Sequence, residues 1–236
     1  MQSVFNRPSM SIKALTSFSN LTPPMRSHLT KVYSNMLYCC IAASVGGYLS
    51  VIGRLQVLGW LGGLLSMCCF FYLLFTRNPH NLRKGGYRFE ALLGFGFLTG
   101  FGTGPILRIA LAVNPAIIPA ACLAGTVIFL CFSLAALTAQ RRSMLYLGGY
   151  LSTGLLLLLG LGFLNIFFRS PLVFNFQIYL CLMVFIAFIP FDTQMILERF
   201  EMGDQDHIMH SLDLFIDLVQ VIRMLIVILT KKEEKK

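Results

Sequence analysis

Residues 190–223 read PFDTQMILERFEMGDQDHIMHSLDLFIDLVQVIR, and this stretch decides the fold because it brings carboxylates into apolar segments. Asp192, Asp213 and Asp217 lie beside or inside runs that are long enough to span a bilayer. A charged side chain near the bilayer centre costs at least about 2.5–3.5 kcal/mol, so such residues normally face the helix bundle and are functional. The sequence therefore predicts a polytopic membrane protein organised around buried acidic residues.

The composition of the whole chain supports this class. Of its 236 residues, 56% are hydrophobic and 12% are charged, and the mean hydropathy is +0.74. The formal charge of +9 comes from Lys and Arg scattered between apolar runs, so we expect a lipid bilayer as the partner and no nucleic acid. The seven cysteines all lie in apolar stretches, where we expect them to be packing residues.

Seven apolar stretches predict an all-α fold, a bundle of seven transmembrane helices. The predicted spans are residues 32–52, 57–75, 91–112, 117–139, 145–166, 172–197 and 212–230. This pattern divides the chain into a cytosolic N-terminal segment (1–31), a transmembrane domain (32–230) and a charged C-terminal tail (231–236).

The third span carries glycines at four-residue spacing, Gly96, Gly100 and Gly104. No Lys-Ser or Lys-Thr pair follows them, so they do not form a phosphate-binding loop. Within an apolar helix this spacing predicts that a neighbouring helix approaches closely.

Two features flank the acidic residues. Pro190 is expected to kink the sixth helix, because proline removes a backbone hydrogen bond. The polar loop over residues 198–211 mixes carboxylates with His207 and His210, but its spacing fits neither an EF-hand nor a His-Glu-x-x-His site. We therefore expect a solvated loop.

The last apolar stretch carries Asp213, Asp217 and Gln220 on one narrow helical face, which must turn toward protein or water. This helix either crosses the membrane fully or dips in and returns. Placing the tail with the N-terminus on the cytosolic side gathers most Lys and Arg on that side, which the positive-inside rule prefers. Both alternatives stay open at the level of the sequence.

Two carboxyl groups on neighbouring buried helices do not readily ionise together, so they tend to share a proton. Loss of that proton makes them repel, and a divalent cation bound by their oxygens relieves the repulsion. Such a pair provides a pH-sensitive gate or a calcium-selective constriction. The structural alternative is that each Asp only caps or hydrogen-bonds a neighbouring helix.

Short motifs are spread over almost the whole chain. The C-terminal motifs are FDTQ (191–194), GDQD (203–206) and LDLFID (212–217). The upstream motifs are LTP (21–23), HLTKVY (28–33), FLTG (97–100), AVNP (112–115), RRS (141–143) and LGG (147–149). Together these motifs resemble those of the Bax inhibitor family, known too by its transmembrane Bax inhibitor motif, and within it the animal endoplasmic-reticulum members.

The resemblance implies six helices around a seventh, and a calcium leak pathway of the endoplasmic reticulum that lowers luminal calcium and suppresses apoptosis. It implies Asp192 and Asp217 as the proton-sharing pair and transient calcium ligands, flanked by Asp213 and Gln220. A basic residue near the end of the second helix, Arg77 or Arg83, would assist the gate. Calcium is then the permeant ion, and no cofactor is expected.

Two other kinds of protein are weighed against this one. An intramembrane aspartyl protease needs Tyr-Asp and Gly-x-Gly-Asp pairs in its helices, whereas Phe191 precedes Asp192 here, so we expect no enzyme activity. The stronger alternative is a non-conducting regulator that restrains cell-death and stress-signalling membrane proteins through helix contacts.

Overall fold

The structure, a computed structural model, describes residues 22–53, 56–77, 87–139 and 143–234. These residues form eight α-helices and no strand. In chain order the helices are α1 Pro23–Ile52, α2 Gln56–Phe75, α3 Arg88–Gly102, α4 Gly104–Val113, α5 Ile117–Thr138, α6 Leu147–Phe168, α7 Pro171–Glu201 and α8 His207–Glu233.

The helix count exceeds the predicted seven because the third span is broken. Helix α3 ends at Gly102 and α4 begins at Gly104, and the two axes meet at 41°. Pro105 stands in the first turn of α4, where its missing N–H costs nothing but where it cannot continue the preceding helix. The pair together forms one bent apolar span, so the predicted all-α bundle is confirmed.

Helix α1 begins at Pro23, well before the predicted span at residue 32. Pro23 and Pro24 occupy its first turn, where their fixed φ angles suit a helix. The polar turns that follow include His28, which is buried against the rest of the protein. The first helix therefore reaches beyond its apolar part.

Apolar length marks most of these helices as membrane spans. Helices α1, α5, α6 and α7 are long and apolar enough to cross a bilayer, and the bent α3–α4 pair makes a fifth candidate. Large hydrophobic side chains on the outside of the bundle are exposed, among them Leu64, Leu123, Leu159 and Phe168. An exposed apolar surface of this kind is what a lipid environment requires. The chain is thus a multi-pass membrane protein.

Helix α8 lies at the centre of the bundle and packs against α1, α3, α4, α5 and α7. Its side chains Leu212, Leu214, Phe215 and Val221 are completely buried. The main neighbour of α2 is α3, and the main neighbour of α6 is α7, so these two helices lie further out. Helix α8 carries Asp213, Asp217 and Arg223, and a central position gives these polar side chains protein neighbours in place of lipid.

The predicted close approach at the glycines of the third span is confirmed. A Cβ atom on Gly100 would lie 2.0 Å from the carbonyl oxygen of Ala43 in α1, and one on Gly46 would lie 2.1 Å from the carbonyl oxygen of Phe97. Only glycine permits these two backbones to meet so closely.

The last two helices run without a break. Pro190 lies inside α7, which nevertheless continues to Glu201, and α8 is one continuous helix from His207 to Glu233. A dip-and-return path would need a break in α8, and the described helix has none, so we expect a full crossing. Lys231, near the end of α8, donates to Asn175 Oδ1 at 2.8 Å near the start of α7. The tail therefore leaves at the end of the bundle opposite the α7–α8 connection.

Candidate functional site

Asp192 of α7 and Asp217 of α8 lie side by side in the bundle. The two helices form an antiparallel hairpin, and both residues stand roughly 15 Å along their helices from its connecting loop, at 1.5 Å per residue. Their carboxyl groups are within hydrogen-bonding reach of each other. Because a carboxylate carries no hydrogen, a bond between two of them requires a shared proton. The structure therefore brings together the two residues that were predicted to pair.

The two members of this acidic pair differ in exposure. Asp217 is 3% exposed, and its Oδ2 atom has no hydrogen-bond partner among the described residues, whereas Asp192 is half-buried. A buried carboxyl oxygen without a donor is costly and marks a strained or functional group. The unsatisfied oxygen is thus available to a proton or a cation.

Asp213 lies one turn before Asp217 and is held by an arginine that the sequence analysis did not single out. Arg199 Nη1 donates to Asp213 Oδ2 at 3.3 Å. Arg199 stands seven residues after Asp192, which is two helical turns, so it lies on the same face of α7. That spacing is the signal by which the sequence could have revealed it. Gln220, the other flanking residue of the prediction, is half-buried on α8.

Arg77, one of the two basic residues predicted to assist a gate, forms an ion pair with Asp204 in the α7–α8 connection. It is exposed, and it also lies within electrostatic range of Asp213. The other candidate, Arg83, lies outside the described residues. Arg77 thus reaches the acidic residues through the connecting loop.

The α7–α8 connection is not the solvated loop that the sequence predicted. Asp206 is 2% exposed. Its Oδ1 atom accepts a hydrogen bond from Arg88 Nη1 at 3.1 Å, and its Oδ2 atom accepts one from Arg88 Nη2 at 2.7 Å. The same carboxylate caps α8 by accepting a hydrogen bond from the Met209 amide at 3.3 Å. One buried carboxylate, that of Asp206, therefore both caps α8 and pairs with Arg88, so this part of the loop packs inside the protein.

His28 and His210 also meet at this end of the bundle. Their ring atoms Nε2 and Nδ1 lie 3.0 Å apart, and both side chains are buried. His210 precedes the apolar part of α8, and burial, together with the neighbouring His28, lowers its pKa to about 4. Asp204 Oδ2 lies 3.9 Å from His210 Nε2. The start of α1 is thereby tied to the start of α8.

Gln194 fixes α7 beside the acidic pair. Its Oε1 atom accepts the Met144 amide at 2.8 Å, and its Nε2 atom donates to the Ala136 carbonyl at 3.2 Å. These bonds attach the FDTQ motif to the last turn of α5 and to the segment that follows it. Gln194 was not predicted as a site residue, although a buried amide two positions from Asp192 is a usable signal.

The site offers oxygen ligands but no complete metal centre. Within the described ranges, no group of three or more His, Cys, Asp or Glu side chains is arranged to hold a metal ion. Two carboxyl groups alone suit weak, transient contact with a hard cation, which otherwise prefers six to eight oxygens.

Fold and site together define the class: a multi-pass helical membrane protein with two adjacent carboxyl groups, those of Asp192 and Asp217, at its central helix. The family described as "Inhibitor of apoptosis-promoting Bax1" matches residues 25–234. The chain belongs to this Bax inhibitor family, as its motifs predicted.

Named relatives match along nearly their full length. "Bax inhibitor 1" of Mus musculus and of Homo sapiens are each 42% identical over 238 residues, which covers 99% of this chain and 99% of theirs. "Bax inhibitor 1" of Arabidopsis thaliana is 36% identical over 234 residues, covering 97% of this chain and 91% of that protein.

Proposed function

We propose that this protein is a pH-sensitive calcium leak channel of the endoplasmic reticulum membrane that suppresses apoptosis by lowering luminal calcium. The observation that carries the proposal is the contact between Asp192 and Asp217 across α7 and α8. Membership of the Bax inhibitor family supports the link to cell death.

The acidic pair supplies the gate. With one shared proton the two carboxyl groups attract each other and hold α7 against α8. Without it they repel, and the packing of the central helix is weakened on the face that carries Asp217. A divalent cation between the carboxylates relieves the repulsion, so calcium is drawn to the place where the helices separate.

Arg199 and the α7–α8 connection set how easily the pair separates. Arg199 binds Asp213 one turn from Asp217 and so links the two helices on the side of the connecting loop. Arg77 and Arg88 hold that loop through Asp204 and Asp206. Separation of α7 from α8 therefore has to act against the Arg199–Asp213 ion pair, while Arg77 and Arg88 hold the connecting loop in place.

Purified protein in calcium-loaded liposomes tests the proposal. We expect calcium release above that of empty liposomes, with a rate that changes between pH 5 and pH 8. Asp217→Asn keeps a hydrogen-bonding group of the same size but cannot lose a proton, so we expect its release rate to lose most of its pH dependence. Glu90→Gln, at the start of α3, is the matched control that removes a carboxylate elsewhere.

Calcium release no faster than from protein-free liposomes across this pH range would refute the channel proposal. The protein would then act as a non-conducting regulator that restrains cell-death and stress-signalling membrane proteins through helix contacts. If Asp217→Asn still releases calcium with unchanged pH dependence, the protein is a channel but the acidic pair is not its pH sensor.

A further inference from the structure

A cavity lies between α1, the α3–α4 break, α5 and α8, and its lining does not include Asp192 or Asp217. Its volume is about 380 Å³, within the range of small-molecule pockets. Most of its lining is aliphatic, including Ala43, Leu107, Ile118 and Leu218. Its rim is open beside Tyr48 and Cys122, whose side chains are exposed on the outer surface of the bundle. A ligand could therefore enter from the surrounding lipid.

Arg223 is the one charged residue that lines this cavity. Its Nε atom is buried without a hydrogen-bond partner, and the guanidinium group makes no ion pair with any residue in the described ranges. Asp217 stands six residues earlier, which places it about 120° around the helix from Arg223. Because arginine keeps its charge in proteins, a half-buried guanidinium with an unpartnered Nε atom favours an anion beside it.

We propose that this cavity binds a long-chain fatty acid, with the carboxylate against Arg223 and the aliphatic chain along the apolar lining. One cation matches one carboxylate, and a fork of N–H donors suits its two oxygens. The volume lies near the lower end of ligand pockets, which suits a single chain and not the two chains of a phospholipid. The proposal is independent of calcium conduction.

Photolabelling of the full chain tests this site. The protein is placed in nanodiscs of neutral phosphatidylcholine with a diazirine analogue of palmitate, and the labelled peptides are mapped by mass spectrometry. We expect label on cavity-lining peptides of α1 and α8, displaced by palmitate but not by hexadecanol, which has the chain without the charge. Phosphatidylserine added to the nanodiscs should not displace it.

Variants test the charge of Arg223 and the volume of the cavity separately. Arg223→Gln should lower labelling about tenfold, the loss expected for one charge-assisted hydrogen bond, and Arg223→Lys should restore part of it. Ser44→Trp adds bulk at an exposed position of the lining, keeps Arg223, and should also lower labelling. Arg169→Gln removes an exposed arginine outside the cavity and should leave labelling unchanged.

Each outcome decides the matter. Equal labelling in Arg223→Gln and the unaltered protein, or displacement by hexadecanol, would show that the charge plays no part and would overturn the proposal. Displacement by phosphatidylserine would assign the cavity to an anionic phospholipid instead. Should Arg223→Gln fail to fold, Ser44→Trp and the two competitors still give the answer.

Discussion

His28 Nε2 lies 3.0 Å from His210 Nδ1, although 182 positions separate the two residues in the chain. Phe200 packs on the ring of His28 with its centroid 4.8 Å away, so both histidines are enclosed. A bond between two imidazole nitrogens needs one donor and one acceptor, so at least one ring must be neutral. The contact that ties α1 to α8 is therefore sensitive to acid.

The first prediction is that acid lowers the thermal stability of the protein through this pair. The pKa of His210 is about 4 in the folded protein, below the ordinary value of 6.5. The unfolded chain thus binds more protons between these two values, and stability falls as pH falls through that window. The acidic pair titrates equally in the unaltered protein and in His210→Asn, so we expect the Tm of the unaltered protein, relative to that of His210→Asn in the same detergent, to fall by several degrees between pH 7.5 and pH 5.

His210→Asn checks that assignment, because it removes the titrating ring and should reduce the drop in Tm between the two pH values. His80→Asn, which removes a histidine outside the described residues, serves as the control. Equal pH dependence in the two variants would contradict a role for His210.

The second prediction concerns two ion pairs that differ in burial. Arg88→Gln removes the guanidinium that binds the buried Asp206 through two hydrogen bonds, which should lower the free energy of unfolding by about 3–5 kcal/mol. Arg77→Gln breaks a pair whose arginine side chain is 38% exposed, and it should cost no more than about 1 kcal/mol. Unfolding titrations in mixed micelles would measure both, and similar losses would show that burial does not set the difference.

The third prediction addresses the contact between α1 and α3. Gly100→Ala places a Cβ atom 2.0 Å from the Ala43 carbonyl oxygen, and backbone atoms cannot turn aside. We expect the free energy of unfolding to fall by about 3 kcal/mol, the upper part of the range for overpacking. Gly160→Ala in α6 meets nothing within 4 Å and should be neutral or stabilising by up to about 1 kcal/mol. The same unfolding titration compares the pair.

The fourth prediction is that the two chain ends lie on opposite sides of the membrane. His28, near the start of α1, contacts the start of α8, and α8 then runs unbroken to the other end of the bundle. Epitope tags on the two termini in sealed microsomes should therefore differ in protease accessibility, with the N-terminal tag cleaved and the C-terminal tag protected. Cleavage of both tags would place the tail with the N-terminus.

Much of the architecture follows from local sequence properties. Apolar runs of membrane-spanning length identified the helical spans, because a lipid environment leaves the backbone no other solution. Glycines at positions 96, 100 and 104 predicted a close helix contact for a similarly local reason. The proline-led first turn of α1 and the break at Thr103 were not predicted, because the first span was placed at residue 32 and residues 91–112 were treated as one helix.

Local sequence properties did not predict which residues the polar side chains contact. Charge counting favoured a tail beside the N-terminus, whereas an unbroken α8 takes it to the opposite end. Arg199, Gln194 and His28 were not predicted as site residues, because their partners come from other helices or from a distant part of the chain.

By itself, the sequence determined a helical membrane protein, and its resemblance to the Bax inhibitor family singled out Asp192 and Asp217 as a pair. Hydropathy is a property of neighbouring residues and the resemblance rests on short motifs, so no coordinates were needed for either. Only the tertiary structure decided that Asp206 is buried with Arg88 and that Arg223 faces a cavity. Those outcomes depend on which faces of distant helices meet, and packing settles that question for the bundle as a whole.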